Sequence, residues 1–196
     1  MAVKKIGFDF DKVFVSYPPI IPDRLVDFLY KGKIALIPQK GVEEVVLKYR
    51  MPNSIEQQIR RLSHSYIFRP PLKNNIRALK QIHKNTSHDL YLVSSRFGFL
   101  KDKTNAWLDK NKMKSEFKEI HFNFNNQQPH TFKERIIKKK GIEYYIDDDL
   151  DLLVYLSKKI PYNHYYWLSK NKRHDYKSLP KNIRTIKSIS DLKKYI

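Results

Sequence analysis

Ile6-Gly7-Phe8-Asp9-Phe10-Asp11-Lys12-Val13-Phe14 places two carboxylates two residues apart at the end of an apolar run. In a strand successive side chains alternate faces, so residues i and i+2 point the same way, and Asp9 and Asp11 would converge near the strand's C-terminal end. Two acids held that close repel each other. A divalent cation relieves the repulsion, and an environment that separates their pKa values lets one stay ionised as a nucleophile or ligand while the other carries a proton. A plain strand followed by an Asp-rich turn would look the same locally, so the pair takes its meaning from what the chain sets beside it.

Outward from that run, Val3 to Asp9 reads as a short buried strand, broken by Tyr17-Pro18-Pro19. From Pro22 to about Arg69 the apolar spacing turns helical. Leu25, Val26, Phe28 and Leu29 form one patch, Val42, Val45, Val46 and Tyr49 a second, and Ile55, Ile59, Leu62 and Tyr66 a third. Ser54 with Gln57, just after Pro52, predicts a capping box. The Pro pairs at 18–19 and 70–71 bound this stretch, so residues 17–69 are expected as a helical cap inserted into a core made of 1–16 and 70–196.

After Pro71 helix and strand alternate regularly. Leu72 to His83 carries a helical stripe, and Asp89 to Val93 is a strand ending in Ser94-Ser95-Arg96. Ala106 to Leu108 lie in a helix, Ile120 to Phe124 in a strand, and Phe132 to Lys140 in a basic helix closed by Gly141. Tyr144 to Ile146 form a strand ending in Asp147-Asp148-Asp149, Leu150 to Leu156 are helical, and Tyr165 to Leu168 are a strand. Arg184 to Ile186 and Ser190 to Leu192 read as a last strand and a capped C-terminal helix. Such alternation implies an α/β fold, a doubly wound, mostly parallel sheet covered on both faces. In these sheets ligands bind outside the C-terminal ends of the strands. Asp9 and Asp11, Ser94 and Ser95, and Asp147 to Asp149 all fall at such ends, so three polar clusters are expected to meet at one edge.

Each cluster has an ordinary structural explanation: serine as a turn or cap residue, the acids as a cap for the helix at Leu150, and Lys133 as one more solvated lysine. Their convergence gathers four or five carboxylates with few cations to balance them. Hard oxygen ligands in that number suit Mg²⁺, which binds through a few carboxylates plus a substrate phosphate.

The chain is also strongly basic, with 39 Lys and Arg against 20 Asp and Glu, a formal charge of +19. Nucleic acid is one explanation; a lysine-, asparagine- and isoleucine-rich composition with lysines scattered throughout is the other, and the absence of an arginine-rich arm or RNP-type aromatics favours it. With no cysteine there are no disulfides, thiolate metal sites or cysteine nucleophiles. Asp9 cuts short the apolar stretch after Lys4 and Lys5, and no run reaches membrane-span length, so a cytoplasmic protein without a signal peptide is expected.

Four of these features, in this order, resemble the motifs of the haloacid dehalogenase-like (HAD) phosphatase superfamily: Asp9, Asp11 and Val13; Leu90-Tyr91-Leu92-Val93-Ser94; Lys133; and Tyr144-Tyr145-Ile146-Asp147-Asp148. The resemblance implies a Rossmann-like core, a helical cap over the site, and a Mg²⁺-dependent phosphomonoester hydrolase. By it, Asp9 attacks phosphorus to form an aspartyl phosphate, while Asp11 protonates the leaving oxygen and then activates water. Ser94 hydrogen-bonds the transferring group and Lys133 neutralises charge. Mg²⁺ is held by Asp9, the Asp11 backbone carbonyl and Asp148, with Asp147 assisting. A weaker likeness to deoxyribonucleotidase-like members ranks a nucleotide first among small phosphorylated substrates; the alternative is a nucleic-acid-binding protein or nucleic-acid-end phosphatase. Lys12 stands where many relatives have Gly, Lys138 to Lys140 rival Lys133, and Tyr17, Arg96, His130 and Lys170 to Arg173 are unranked substrate contacts.

Overall fold

The computed structural model describes residues 3–17, 49, 51–169 and 178–196. Six short strands form one sheet: β1 (Lys5–Phe8), β2 (Asp89–Ser94), β3 (Glu119–Phe122), β4 (Tyr144–Asp147), β5 (His164–Leu168) and β6 (Ile183–Ile186). Their order is β3-β2-β1-β4-β5-β6, and every neighbouring pair is parallel. A sheet of this kind must bury both faces, and the period of two in side-chain direction divides the core accordingly. Along β2, Leu90 and Leu92 join one apolar cluster while Tyr91 and Val93 join the other. Along β5, Tyr166 parts in the same way from Tyr165 and Trp167.

Among the described residues the helices are α1 (Ser54–Ser63), α2 (Lys73–Asn85), α3 (Lys101–Lys110), α4 (Pro129–Lys140) and α5 (Leu150–Lys159). Leu79 and Ile82 of α2 and Trp107 and Leu108 of α3 cover one face of the sheet. Phe132 and Ile136 of α4 and Leu153 and Leu156 of α5 cover the other. Gly141 ends α4 in the left-handed region at φ +63°, which lets its N–H turn back onto the Ile137 and Lys138 carbonyls. No helix among the described residues is long and apolar enough to cross a membrane.

Three local expectations are corrected. The capping box of α1 is Asn53 with Glu56, one residue before the Ser54–Gln57 pair: Glu56 N–H donates to Asn53 Oδ1 at 2.9 Å, and Asn53 N–H donates to Glu56 Oε2 at 2.8 Å. Asn caps as well as Ser, and a carboxylate near a helix N-terminus gains from the dipole where an amide does not. The C-terminal helix is a 3₁₀ helix over Ile189–Lys194, capped by Ser188 with Asp191. And α5 continues past Leu156 to Lys159. The α1 stripe at Ile55, Ile59 and Leu62 faces outward, 60–72% exposed. The patches at Leu25 to Leu29 and Val42 to Val46, and the stretch Lys170 to Arg173, lie outside the described residues.

β1 lies inside the sheet, with β2 on one side and β4 on the other, so the chain order reverses across it. That reversal opens a crevice at the C-terminal ends of β1, β2 and β4.

Candidate active site at the strand ends

The crevice holds a cavity of about 190 Å³ whose floor is Asp9, Ser94, Lys133 and Asp147. Asp9 leaves β1 with its N–H on the Ile146 carbonyl at 2.9 Å, which extends the β1–β4 pairing and fixes its direction. Lys133 rises from the first half of α4. The residue is 4% exposed, and its ammonium donates to Asp9 Oδ1 and Asp147 Oδ2, both at 2.7 Å. The later lysines go elsewhere, Lys138 to Glu134 at 2.6 Å and Lys140 to Glu119 at 2.6 Å. Lys140, seven residues on, returns to nearly the same face of α4 as Lys133 but stands about 10 Å further along the helix axis, away from the strand ends.

The three acids after β4 divide the work. Asp147, 1% exposed, also accepts the Asp149 N–H at 3.0 Å. Asp149 caps α5 by accepting the Leu152 N–H at 3.3 Å, and its other oxygen accepts the Tyr49 hydroxyl at 3.3 Å. Asp148 lies 3.5 Å from the Lys12 ammonium, and its carbonyl accepts Trp167 Nε1–H at 3.0 Å. One carboxylate oxygen each from Asp9, Asp147 and Asp148 lie within 4.8 Å of one another. This is the hard-oxygen set that suits Mg²⁺, and the electrostatics agree with it. Burial pushes Asp9 up to about 7, with Asp147 and Asp11 adding to the rise and Lys133 opposing it. Burial likewise raises Asp147 and, with the neighbouring Asp147 charge, raises Asp148 well above the ordinary carboxylate range. Burial disfavours the Lys133 charge, yet Asp147 and Asp9 outweigh it and hold the ammonium well above its usual value. Lys133 and, at 3.5 Å from Asp148, Lys12 set two positive charges against three clustered acids, so one negative charge is left that a bound cation would balance.

Asp11 is built differently. Arg96 Nε–H donates to Asp11 Oδ2 at 2.8 Å and Nη2–H to Oδ1 at 2.6 Å, a bidentate fork. Arg69 adds a second guanidinium 4.0 Å away. Burial alone would raise this carboxyl, but Arg96 and Arg69 hold it below the usual carboxylate range. Arg69 is tied in turn to His64. The His64 Nδ1–H donates to the Arg60 carbonyl at 2.7 Å, which leaves Nε2 to accept from Arg69 Nη2–H at 3.1 Å. Burial, then the charges of Arg96 and Arg69, hold that imidazole well below 6.5, in its neutral form.

The turn after β1 is tight. Phe14 and Val15 both donate their N–H to the Phe10 carbonyl, and Lys12 sits in the left-handed region at φ +57°. That is the conformation glycine adopts without cost, and here a lysine occupies it. Ser94, 2% exposed, accepts the Arg96 N–H at 3.4 Å, and the Ser95 hydroxyl, buried on the cavity wall, has no hydrogen-bond partner among the described residues. An anionic group in the cavity would satisfy it.

Of the unranked residues, Tyr17 and Arg96 line the cavity, and Tyr17 lies under the Lys12 ammonium at 4.6 Å. His130 lies between Tyr49 and Tyr155, outside the lining. Sequence reasoning missed Arg69, His64 and the polar use of Tyr49. Arg96 carried a usable signal: it follows Ser94 by two residues at a strand end, the same spacing that marked Asp9 and Asp11. Arg69 and His64 carried none, because they lie at no strand end and reach the site only through tertiary packing.

No protein-family model matches the chain, and no curated protein sequence does. Among solved structures it resembles a haloacid dehalogenase-like family hydrolase from Streptococcus pneumoniae, with a TM-score of 0.58, 11% identity and 99% of each chain covered. A haloacid dehalogenase-like family hydrolase from Xanthomonas campestris matches at 0.56 and 12% identity, over 96% of this chain and 92% of that one. The L-2-haloacid dehalogenase from Xanthobacter autotrophicus, with chloropropionic acid covalently bound, matches at 0.55 and 8% identity over 98% of both. The fold is therefore the HAD-like α/β fold.

Proposed function

We propose that the protein is a Mg²⁺-dependent phosphomonoester hydrolase that works through an aspartyl phosphate on Asp9. The observation that carries this reading is the Lys133 ammonium, 2.7 Å from both Asp9 and Asp147 beside the three-carboxylate cluster. Three clustered carboxylates suit a divalent cation that neutralises phosphoryl oxygens, a need that displacement of a halide from carbon does not have, so the cluster favours phosphoryl transfer.

In the first half, Asp9 attacks phosphorus and the P–O bond to the leaving group breaks, while Lys133 and the hydroxyls of Ser94 and Ser95 hold the equatorial oxygens. The leaving oxygen takes a proton through Asp11, supplied by the substrate's protonated monoanion. In the second half Asp11, ionised beside Arg96, accepts a proton from the water that attacks phosphorus and passes it to the departing phosphate, so that Asp9 and Asp11 are both restored to their ionised forms. Mg²⁺, held by Asp9, Asp148 and the Asp11 carbonyl with Asp147 behind, would supply charge neutralisation on the phosphoryl oxygens. Residues 17–69 serve in this reading as the cap, whose Tyr49, Arg60, His64 and Arg69 line the same cavity as the strand ends. A nucleotide is ranked first among substrates.

The test is turnover of a panel of phosphomonoesters with Mg²⁺ by wild type and by Asp9→Asn. Equal turnover in both would sink the reading.

A second reading, in which the phosphomonoester is a nucleic-acid end, is favoured by Lys73, Arg77, Lys80 and Lys84. They line a groove of about 480 Å³ along α2 at helical spacing. It requires oligonucleotide binding whose affinity falls steeply with salt and is weakened by Lys73→Glu with Arg77→Glu. Binding unaffected by that pair would remove it.

A further inference from the structure

The carboxylate plane of an aspartate is softly held, since its last torsion has a broad, two-fold energy profile. Asp11 is an exception. Both its oxygens accept from one guanidinium, at 2.6 and 2.8 Å, so the plane of the carboxylate follows the plane of the Arg96 fork. That fork is itself fixed from two further sides. Arg96 Nη1–H donates to the Thr104 hydroxyl of α3 at 3.1 Å, and the guanidinium lies 4.5 Å from the centre of the Phe10 ring. Thr104 is fully buried and Phe10 is fully buried, so neither support is free to move.

The pair is also asymmetric in its exposure. The Arg96 side chain is 3% exposed and the Asp11 side chain 31%, and Asp11 opens onto the cavity. An ion pair that serves only to join β1 to β2 has no reason to hide its cation and present its anion to the site. Each carboxylate oxygen has two lone pairs, and the fork occupies one on each. The others remain for exchange with a reacting oxygen, in a direction that Arg96 sets.

We propose that Arg96 is the positioning residue for Asp11, fixing the orientation in which that carboxylate exchanges a proton with the leaving group and the attacking water. This rests on the phosphatase reading above. Thr104 and Phe10 extend the support outward by one layer, and Ser94 and Arg96 become two products of one strand end, one facing the phosphoryl group and the other holding its proton carrier. Lysine would supply a charge at the same place without the fork, so charge and orientation can be separated experimentally.

The test compares wild type, Arg96→Met, Arg96→Lys, Asp11→Asn and the Arg96→Met/Asp11→Asn double variant, with Mg²⁺, on p-nitrophenyl phosphate and on an alkyl phosphate. Arg96→Met should lower kcat about 100-fold on the alkyl ester with KM within about threefold, the size expected for loss of a general acid–base contribution. The loss should be several-fold smaller on the aryl ester, whose leaving group needs less protonation. Arg96→Lys should recover less than a tenth of wild-type kcat. In the Asp11→Asn background, Arg96→Met should change kcat by less than about twofold, because residues acting as one unit are not additive. Losses that multiply in the double variant, a rise in KM at unchanged kcat, or equal loss on both esters would overturn the proposal. If Arg96→Met does not fold, Arg96→Lys retains the buried charge and carries the same comparisons. Wild type without turnover on any phosphomonoester would refute the phosphatase reading and this inference with it; an active wild type and an equally active Arg96→Met would refute this inference alone.

Discussion

Replacing Lys133 with methionine nearly preserves side-chain volume and removes one buried charge. The ammonium lies 2.7 Å from Asp9 and 2.7 Å from Asp147, and the side chain is 5% exposed, so solvent does not stand ready to replace it. Removing one partner of a buried ion pair costs about 3–5 kcal/mol, because the charge left behind is uncompensated. At this chain length each kcal/mol moves Tm by about 2–4 °C, so Lys133→Met should melt roughly 6–20 °C below wild type in EDTA at pH 8. Two conditions should narrow that gap. At pH 5.5 Asp9, pushed up to about 7, takes a proton and needs the lysine less. At pH 8 saturating Mg²⁺ should do the same by supplying positive charge to the three carboxylates. Thermal unfolding of both proteins, followed by far-UV circular dichroism in these conditions, measures each effect. A variant within about 1 kcal/mol of wild type in EDTA at pH 8, or a gap that neither acid nor Mg²⁺ narrows, would refute the view that Lys133 holds these carboxylates together by charge.

The wild type should show the same physics through pH. Because Asp9 titrates at about 7 in the folded protein against 3.8 ordinarily, the folded chain holds a proton that the unfolded chain has released between those values. Stability without divalent cation should therefore be greatest below about 4 as far as this group is concerned, and should fall by on the order of 4 kcal/mol as pH rises through 7; a flat urea-denaturation profile from pH 5 to 8 in EDTA would contradict it. Mg²⁺ should raise Tm more at pH 8 than at pH 5.5, since protons compete for the same oxygens, and should release protons on binding, which calorimetry in buffers of differing ionisation enthalpy detects. Lys12→Gly should change stability by less than about 1 kcal/mol in urea unfolding, because relief of the left-handed backbone at φ +57° offsets loss of a partly buried pair to Asp148 and of the contact with the Tyr17 ring. Gly98→Ala should cost about 1–3 kcal/mol, because the added Cβ would stand 2.5 Å from the Phe124 carbonyl oxygen and the two backbones would have to part.

Much of the fold was legible because strands buried on both faces must be apolar and short, and because the polar residues that end them must sit at the edge. Asp9, Ser94 and Asp147 each terminate an apolar run, and the structure sets all three on one cavity. Lys133 was separable from Lys138 to Lys140 by its distance along α4 from the acidic cluster. Errors fell where local chemistry offers near-equal choices: Asn53 and Ser54 are both good caps, and the last turns after β6 close as 3₁₀ helix over Ile189–Lys194.

What the sequence by itself determined is the set of strand ends and the order in which they follow one another, since hydrophobic period and turn residues are local properties. It also determined that carboxylates outnumber cations at those ends. Tertiary structure alone decided how the charges are shared. Asp9 and Asp11 are two residues apart and look alike in sequence, yet one is paired with a lysine from α4 and raised toward neutrality, while the other is clasped by Arg96 and held ionised. The physical reason is that the energy of a charge depends on its burial and on partners within a few ångströms. Those partners come from positions 124 and 85 residues away along the chain.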